Sequence, residues 1–337
     1  MSALAVVVGV IVNGAGEILL AKRAAHQHQG GLWEFPGGKL EASEAPLAGL
    51  WRELQEELGI SVVKAEPLIQ IHHQYPDKSV LLDVYRVTQF DGVAQGREGQ
   101  PLVWIKPSEL NNYPFPAANR PIVQALMLPQ QLCITGAAAT PAIWSERFAQ
   151  SLQPNTWMLA RPQNEEQLSW PWPQLIIDAF SLCQRHNTRL LLHSSLLLKM
   201  APGFNGLGPE EQRNLLQQYC HGVHLTAAAA ADQLLCIPTD FPLGMSCHTE
   251  QELAKAHALN CHYALLSPAL PTQTHADAAP LGWSEFTRLC RLAKVPVFAL
   301  GGIDARHRGL AQSLGAQGVA GIRGFWGINS TGAGDNT

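Results

Sequence analysis

Apolar residues run without a break from Ala3 to Val12 (ALAVVVGVIV) and stop at Asn13-Gly14-Ala15-Gly16. A run this short and valine-rich predicts a strand over 4–12. The turn residues after it predict a hairpin with a second strand over 17–22. Leu47, Leu50, Leu54 and Leu58 recur at i, i+3, i+7 and i+11. That period predicts a helix over 43–58 with these four leucines on one stripe, and Gly59 stands where a helix C′ glycine belongs. Shorter apolar runs predict strands over 33–36, 68–73, 79–88 and 101–105, and a closing helix over 119–128.

Beyond Pro129-Gln130-Gln131 the rhythm changes. Buried-looking runs at 157–159, 189–193, 222–225, 263–267 and 297–300 alternate with helical stretches near 143–152, 209–219, 249–259, 283–292 and 305–314. Repeated strand–helix units predict a parallel sheet. About 200 residues of them suit a (β/α)8 barrel better than an open sheet. The expected organisation is a first domain over 1–128, a linker at 129–131, a barrel over 132–328 and a flexible tail at 329–337.

Composition narrows the class. Apolar residues make up 46% and charged residues 15% of the 337, against roughly 25% charged in average globular chains, which excludes a disordered protein. The net charge of −4 lacks the basic face of a dedicated duplex-nucleic-acid binder, yet leaves room for a small nucleotide. All seven cysteines lie beyond residue 130 and no CxxC pair occurs, which predicts reduced thiols in a cytoplasmic protein. No basic n-region precedes the first apolar run, and prolines interrupt the uncharged stretch 121–145, so neither reads as a membrane signal. The sequence leaves the oligomeric state open.

The chemistry concentrates on the first helix. Glu53, Glu56 and Glu57 stand at i, i+3 and i+4 and share one face. Like charges this close need a countercharge, which a hard divalent cation bound by oxygens supplies. Arg52, four residues before Glu56, can orient one carboxylate. The wider spacing is more specific: Gly38, five residues, Glu44, seven residues, then Arg52-Glu53-Leu54-x-Glu56-Glu57-x-Gly59-Ile60. This matches the Nudix box at every defined position, and the chain resembles the MutT-type Nudix hydrolases over about residues 1–128.

That resemblance implies an α/β/α sandwich with a mixed sheet. It also implies hydrolysis of 8-oxo-dGTP to 8-oxo-dGMP and pyrophosphate by water attack at the β-phosphorus, with Mg2+, or Mn2+ in its place. The role implied is cleaning of the nucleotide pool. The metal set implied is the Gly37 carbonyl with Glu53, Glu56, Glu57 and Glu98, the last from Gly96-Arg97-Glu98-Gly99-Gln100. Implied substrate contacts are Arg23, His28, Glu34, Phe35, Pro36, Gly37, Lys39 and Asn119; Lys78 departs from the family's arginine. Phe35 suits a core position equally well. Asn119 also fits a helix N-cap before Pro121. As a base reader it has a physical rationale. Oxidation at C8 turns the guanine N7 acceptor into a donor beside the O6 acceptor, and one carboxamide offers the complementary pair.

Residues 132–327 resemble thiamine phosphate synthase and its thiazole tautomerase relative. The resemblance rests on Gly222-Val223-His224-Leu225, Gly244–Thr249, Ser267–Thr274 and Val297–Ile303. It implies a phosphate site at Arg161, Ser246, Thr272, Thr274 and Gly302, although Gly301-Gly302 also reads as a structural turn. The departures matter more. His193-Ser194 replaces the synthase's Asn-Asp pair, Ala228–Ala231 replaces a following Asp, His275 replaces a lysine, and Ser267 stands where the tautomerase has a histidine. Loss of the Mg2+-binding carboxylates predicts a degenerate synthase. Two other readings stay open: a Nudix domain acting on a thiamine-pathway pyrophosphate, and a barrel serving as a phosphate-binding regulatory module.

Overall fold

The computed structural model describes residues 4–24, 29–75, 79–154, 156–227, 237–238, 241–272 and 279–327. The chain divides into two compact units whose main stretches are Met1–Leu128 and Pro129–Leu289.

The first unit contains β1 (Leu4–Ile11), β2 (Ile18–Lys22), β3 (Trp33–Glu34), α1 (Pro46–Leu58), β4 (Ser61–Gln74), β5 (Ser79–Asp91), β6 (Leu102–Ile105) and α2 (Arg120–Met127). One three-stranded sheet has the order β1-β5-β4 and the other β3-β2-β6. β1 runs parallel to β5, and β4 antiparallel to it. β1 is apolar throughout because both its faces are covered. Val7 and Ile11 pack with Leu50, Leu54 and Leu58 of α1, while Val8 and Val10 pack with Ile122, Val123 and Ala125 of α2. This is the expected sandwich.

Three details differ from the sequence pattern. The turn at 13–16 forms, with the Asn13 amide donating to Glu17 O at 3.0 Å. The hairpin ladder does not: β1 and β2 belong to different sheets and share one isolated bridge, Val12 to Ile18. The twofold-covered β1 gains more from the long parallel neighbour β5 than from its sequence neighbour. α1 starts at Pro46 rather than 43, since Ser43 takes φ 65° and proline sits naturally in the first helical turn. Leu47, in that first turn, is therefore 42% exposed, while Leu50, Leu54 and Leu58 are fully buried.

The second unit is a closed barrel of eight parallel strands in chain order: β7 (Gln131–Ile134), β8 (Thr156–Ala160), β9 (Leu190–His193), β10 (Gly222–Leu225), β11 (Leu243–Cys247), β12 (Tyr263–Leu266), β13 (Val297–Ala299) and β14 (Gly318–Gly321). β7 begins at Gln131, so the last residue of the expected linker is already strand. Helices α3 (Pro141–Gln150), α5 (Trp172–Arg185), α7 (Pro209–Tyr219), α8 (Glu250–Ala258), α9 (Gly282–Leu292) and α10 (Arg308–Ser313) follow strands, with short α4 (Glu165–Leu168) and α6 (Ser194–Met200) between them. α5 has no counterpart in the periodicity read above, because Trp172-Pro173 opens it and looks like a break. Among the described residues six cysteines are free and buried; Cys236 lies outside them. No described helix is long and apolar enough to cross a membrane.

Candidate active site

The N-terminal site is assembled around α1 and the loop before it. Gly37 takes φ 144°, and a β-carbon there would run into the Val7 carbonyl oxygen. At Gly38 a β-carbon would occupy the Glu53 carboxylate's position. Two glycines therefore let the loop press flat against β1 and α1. The Gly37 amide donates to Glu57 Oε2 at 3.1 Å.

Arg52 organises the carboxylates. Its guanidinium donates to both Glu44 oxygens at 2.9 and 2.8 Å, to Glu53 Oε1 at 2.9 Å, to Glu56 Oε2 at 3.3 Å and to Lys39 O at 3.1 Å. The hydrogen bond from Arg52 holds the Glu44 carboxyl down at about 2. Sequence reasoning saw Glu44 only as a spacer identity. Its role as the anchor for Arg52 depends on a contact across eight residues that the spacing alone does not give.

The far end of α1 positions Glu98. The Glu57 carbonyl, one of the orphan acceptors at a helix end, accepts from the Arg97 amide at 2.9 Å and from Gln100 Nε2 at 3.1 Å. Arg97 also donates to Gln55 O at 3.0 Å. These bonds staple the 96–100 loop to the helix and bring Glu98 near Glu57. Burial pushes Glu57 up to about 8, with Glu34, Glu98 and Glu53 adding repulsion against the lowering bond from Gly37. A half-buried carboxyl held against three others is a place where a divalent cation is stabilised. Among the described residues no three His, Cys, Asp or Glu side chains close into a ready cage.

Arg23 pairs with Glu34, whose carboxyl is nonetheless raised because burial outweighs the guanidinium. Lys39 is exposed and Pro36 buried. Phe35 is 2% exposed, its ring stacked on Phe115 with centroids 5.4 Å apart at 11°. That ring is committed to the core. Asn119 occupies the N-cap of α2 but makes no capping hydrogen bond, and its Oδ1 is buried with no partner. The capping alternative is thus not realised. His28 and Lys78 lie outside the described residues.

Residues 7–125 match the NUDIX domain family, and residues 174–325 match the thiamine monophosphate synthase family. The 8-oxo-dGTP diphosphatase of Escherichia coli K12 is 38% identical over 126 residues, covering 37% of this chain and 98% of that protein. The chain belongs to the Nudix family. Another Nudix-length relative, the CTP pyrophosphohydrolase of the same organism, is 40% identical over 121 residues, 36% of this chain and 90% of that protein. The solved thiamine phosphate pyrophosphorylase from Pyrococcus furiosus covers 57% of this Nudix chain and 85% of its own, at 18% identity and a TM-score of 0.40.

In the barrel of this Nudix protein the predicted phosphate residues sit at or beyond strand ends. Arg161 follows β8, Ser246 lies in β11, and Gly301-Gly302 follow β13 with φ of 91° and 66°. The Leu270 amide donates to Gly301 O at 3.0 Å, which brings the 268–272 segment with Thr272 beside the glycine turn. Thr274, His275 and Ala228–Ala231 lie outside the described residues. His193 is the last residue of β9, 9% exposed, and Ser194 is 2% exposed.

Proposed function

We infer that the N-terminal domain, 1–128, hydrolyses 8-oxo-dGTP to 8-oxo-dGMP and pyrophosphate. The observation that carries the base preference is Asn119. A carboxamide oxygen buried without a partner costs about 1–3 kcal/mol, and a base edge offering a donor there removes that cost. The 8-oxopurine presents such a donor at N7, next to an acceptor for the Asn119 amide, whereas unmodified guanine presents two acceptors. The 38% identical diphosphatase supports the same substrate.

Mg2+, or Mn2+ in its place, would be held by Glu53, Glu56, Glu57, Glu98 and the Gly37 carbonyl. Such an ion supplies charge neutralisation on the triphosphate and a water of lowered pKa. Arg52 fixes Glu53 and Glu56 so that the ligands are preorganised rather than gathered on binding. Glu57, half-buried and crowded, would release its proton to solvent on holding such an ion. Arg23, His28 and Lys39 supply positive charge and donors toward the nucleotide, with Glu34 positioned by Arg23. Water adds to the β-phosphorus, the bond to the α–β bridging oxygen breaks, and the monophosphate leaves with that oxygen. The work is that of a cytoplasmic nucleotide-pool enzyme.

A second substrate reading rests on the CTP pyrophosphohydrolase, equally similar at 40% identity. The test is a comparison of kcat/KM for 8-oxo-dGTP, dGTP, CTP and thiamine-pathway diphosphates with Mg2+. Preference for 8-oxo-dGTP is expected; preference for CTP or for a thiamine-pathway diphosphate would replace this reading. For the barrel, 132–328, the reading is a synthase-like domain without synthase activity.

A further inference from the structure

The last turn of α1 leaves backbone carbonyls that the helix itself cannot satisfy, and one loop meets them. Leu58 O accepts from the Gln95 amide at 3.0 Å, and Glu57 O from the Arg97 amide at 2.9 Å. Arg97 Nη1 donates to Gln55 O at 3.0 Å, and Gln100 Nε2 to Glu57 O at 3.1 Å. Gly59 ends the helix at φ 72°, and a β-carbon there would run into the Arg97 guanidinium. The bare glycine therefore both turns the chain and seats the arginine. Together these contacts fix the register between loop and helix.

Most of these donors hold the frame of the loop and not Glu98 itself. Glu98 is exposed, and it stands in a tight turn closed by the Gly99 amide on Gly96 O at 3.0 Å, with Gly99 at φ 80°. A carboxylate on a glycine-flanked turn has many directions open to it. Gln100 narrows them. Its Oε1 accepts from the Glu98 amide at 2.9 Å while its Nε2 donates to the Glu57 carbonyl. An amide N–H can only donate and a backbone carbonyl can only accept, so the two partners settle the orientation of the carboxamide. One side chain thus joins the backbones of two residues whose carboxylates repel each other.

The bridge needs a donor and an acceptor on one short planar group. An ionised glutamate offers only acceptors, a lysine only donors, and a methionine neither at comparable strength. We propose that Gln100 is a positioning residue of the hydrolase site, whose carboxamide sets Glu98 beside Glu57 before any cation or nucleotide binds. The proposal rests on the reading of Glu57 and Glu98 as metal ligands, and Gln100 acts through Glu98 rather than on the ion. The helix end is a suitable anchor, because α1 carries Glu53, Glu56 and Glu57 on one rigid element. With Glu98 held against that element, the site meets a cation with its last carboxylate at hand instead of a loop still to be ordered.

The test compares Gln100→Met, which keeps the length of the side chain, with Glu98→Gln and the double variant, all in the full-length protein. The first readout needs no metal. In metal-free protein the Glu98 amide should exchange its hydrogen about 2- to 10-fold faster in Gln100→Met than in the parent, the scale of one hydrogen bond. The amides of Leu50 and Leu54 should be unchanged, which shows that α1 stays folded. The second readout is Mn2+ affinity without nucleotide, followed by electron paramagnetic resonance. Gln100→Met should weaken it about 10-fold, as loss of an outer support for a ligand does, and should add nothing in the Glu98→Gln background. An unchanged Glu98 amide, or effects of the two substitutions on Mn2+ that simply add, would overturn the proposal. Mn2+ binding that Glu98→Gln leaves intact would overturn the metal reading and the proposal with it. Faster Glu98 exchange in Gln100→Met would then show that the bridge exists and that the ligand assignment is what failed.

Discussion

In the N-terminal domain Glu34, Glu53 and Glu98 crowd a half-buried Glu57, and a single arginine holds three carboxylates in place. In the barrel His193 and His224 interact with hydroxyls, an amide, Arg161 and each other, and among the described residues with no carboxylate. The first site is a crowd of carboxylates that repel one another. The second is lined by imidazoles that burial holds below their ordinary pKa. The two sites thus differ in charge: carboxylates crowd the first, and imidazoles beside an arginine line the second. The difference teaches that the charge of a site is set by a few side chains, here His193 and Ser194 in the barrel, and not by the strands that carry them.

The largest expected effect comes from removing charge where the first site depends on it. Glu53→Gln and Glu57→Gln should each lower kcat by about two to three orders of magnitude, the scale of losing one preorganised electrostatic contact. Steady-state hydrolysis with saturating Mg2+ measures this, with circular dichroism as the control for folding. Turnover within the wild-type range in both variants would remove α1 from the chemistry. The matching test of the barrel is thiamine phosphate formation by the full-length protein from the two phosphorylated precursors. None is expected, and robust synthesis would mean that the missing carboxylates are supplied from elsewhere.

A smaller effect separates recognition from catalysis. Asn119→Ala should narrow the preference for 8-oxo-dGTP over dGTP by about 5- to 150-fold, which is the 1–3 kcal/mol of one unmet buried polar group. The kcat/KM ratio for the two nucleotides reads it. An unchanged ratio with a parallel fall would make Asn119 structural.

The subtlest contrast is in pH dependence. Glu57 is raised from 4.5 to about 8, so its contribution to stability is present below 4.5 and lost as pH rises through 8 in metal-free protein. His193 is lowered from 6.5 to about 4, so its contribution is present above 6.5 and lost as pH falls through 4. Hydrogen exchange resolved by domain should therefore show the metal-free N-terminal core loosening from pH 5 to 8, while the barrel loosens on acidification. Added Mg2+ should abolish the first trend and leave the second. Parallel trends in both domains would contradict the electrostatic contrast.

The hydrolase site was legible in the sequence because its identities are fixed at fixed intervals on one helix, and a helix converts spacing into a face. What the sequence could not show was contact made through the third dimension. Arg97 and Gln100 capping the Glu57 carbonyl, and Glu44 anchoring Arg52, depend on loops that return to the helix. The β1–β2 hairpin was misread because a turn signal is local, whereas strand partners are chosen by which pairing buries both faces. In the barrel the strand–helix rhythm gave the architecture. Its chemistry was legible only as losses, since the register that aligns His193, His224, Gly244 and Tyr263 is a property of the closed sheet.

The most direct test of the central claim is nucleotide selectivity with and without the cation. Purified full-length protein is assayed for kcat/KM on 8-oxo-dGTP, dGTP and CTP, first with Mg2+ and then in EDTA. The account predicts that 8-oxo-dGTP is the best substrate, that dGTP is poorer by about the 5- to 150-fold assigned to Asn119, and that EDTA abolishes all three activities. Equal turnover of the three nucleotides, preference for CTP, or hydrolysis that persists in EDTA would contradict it.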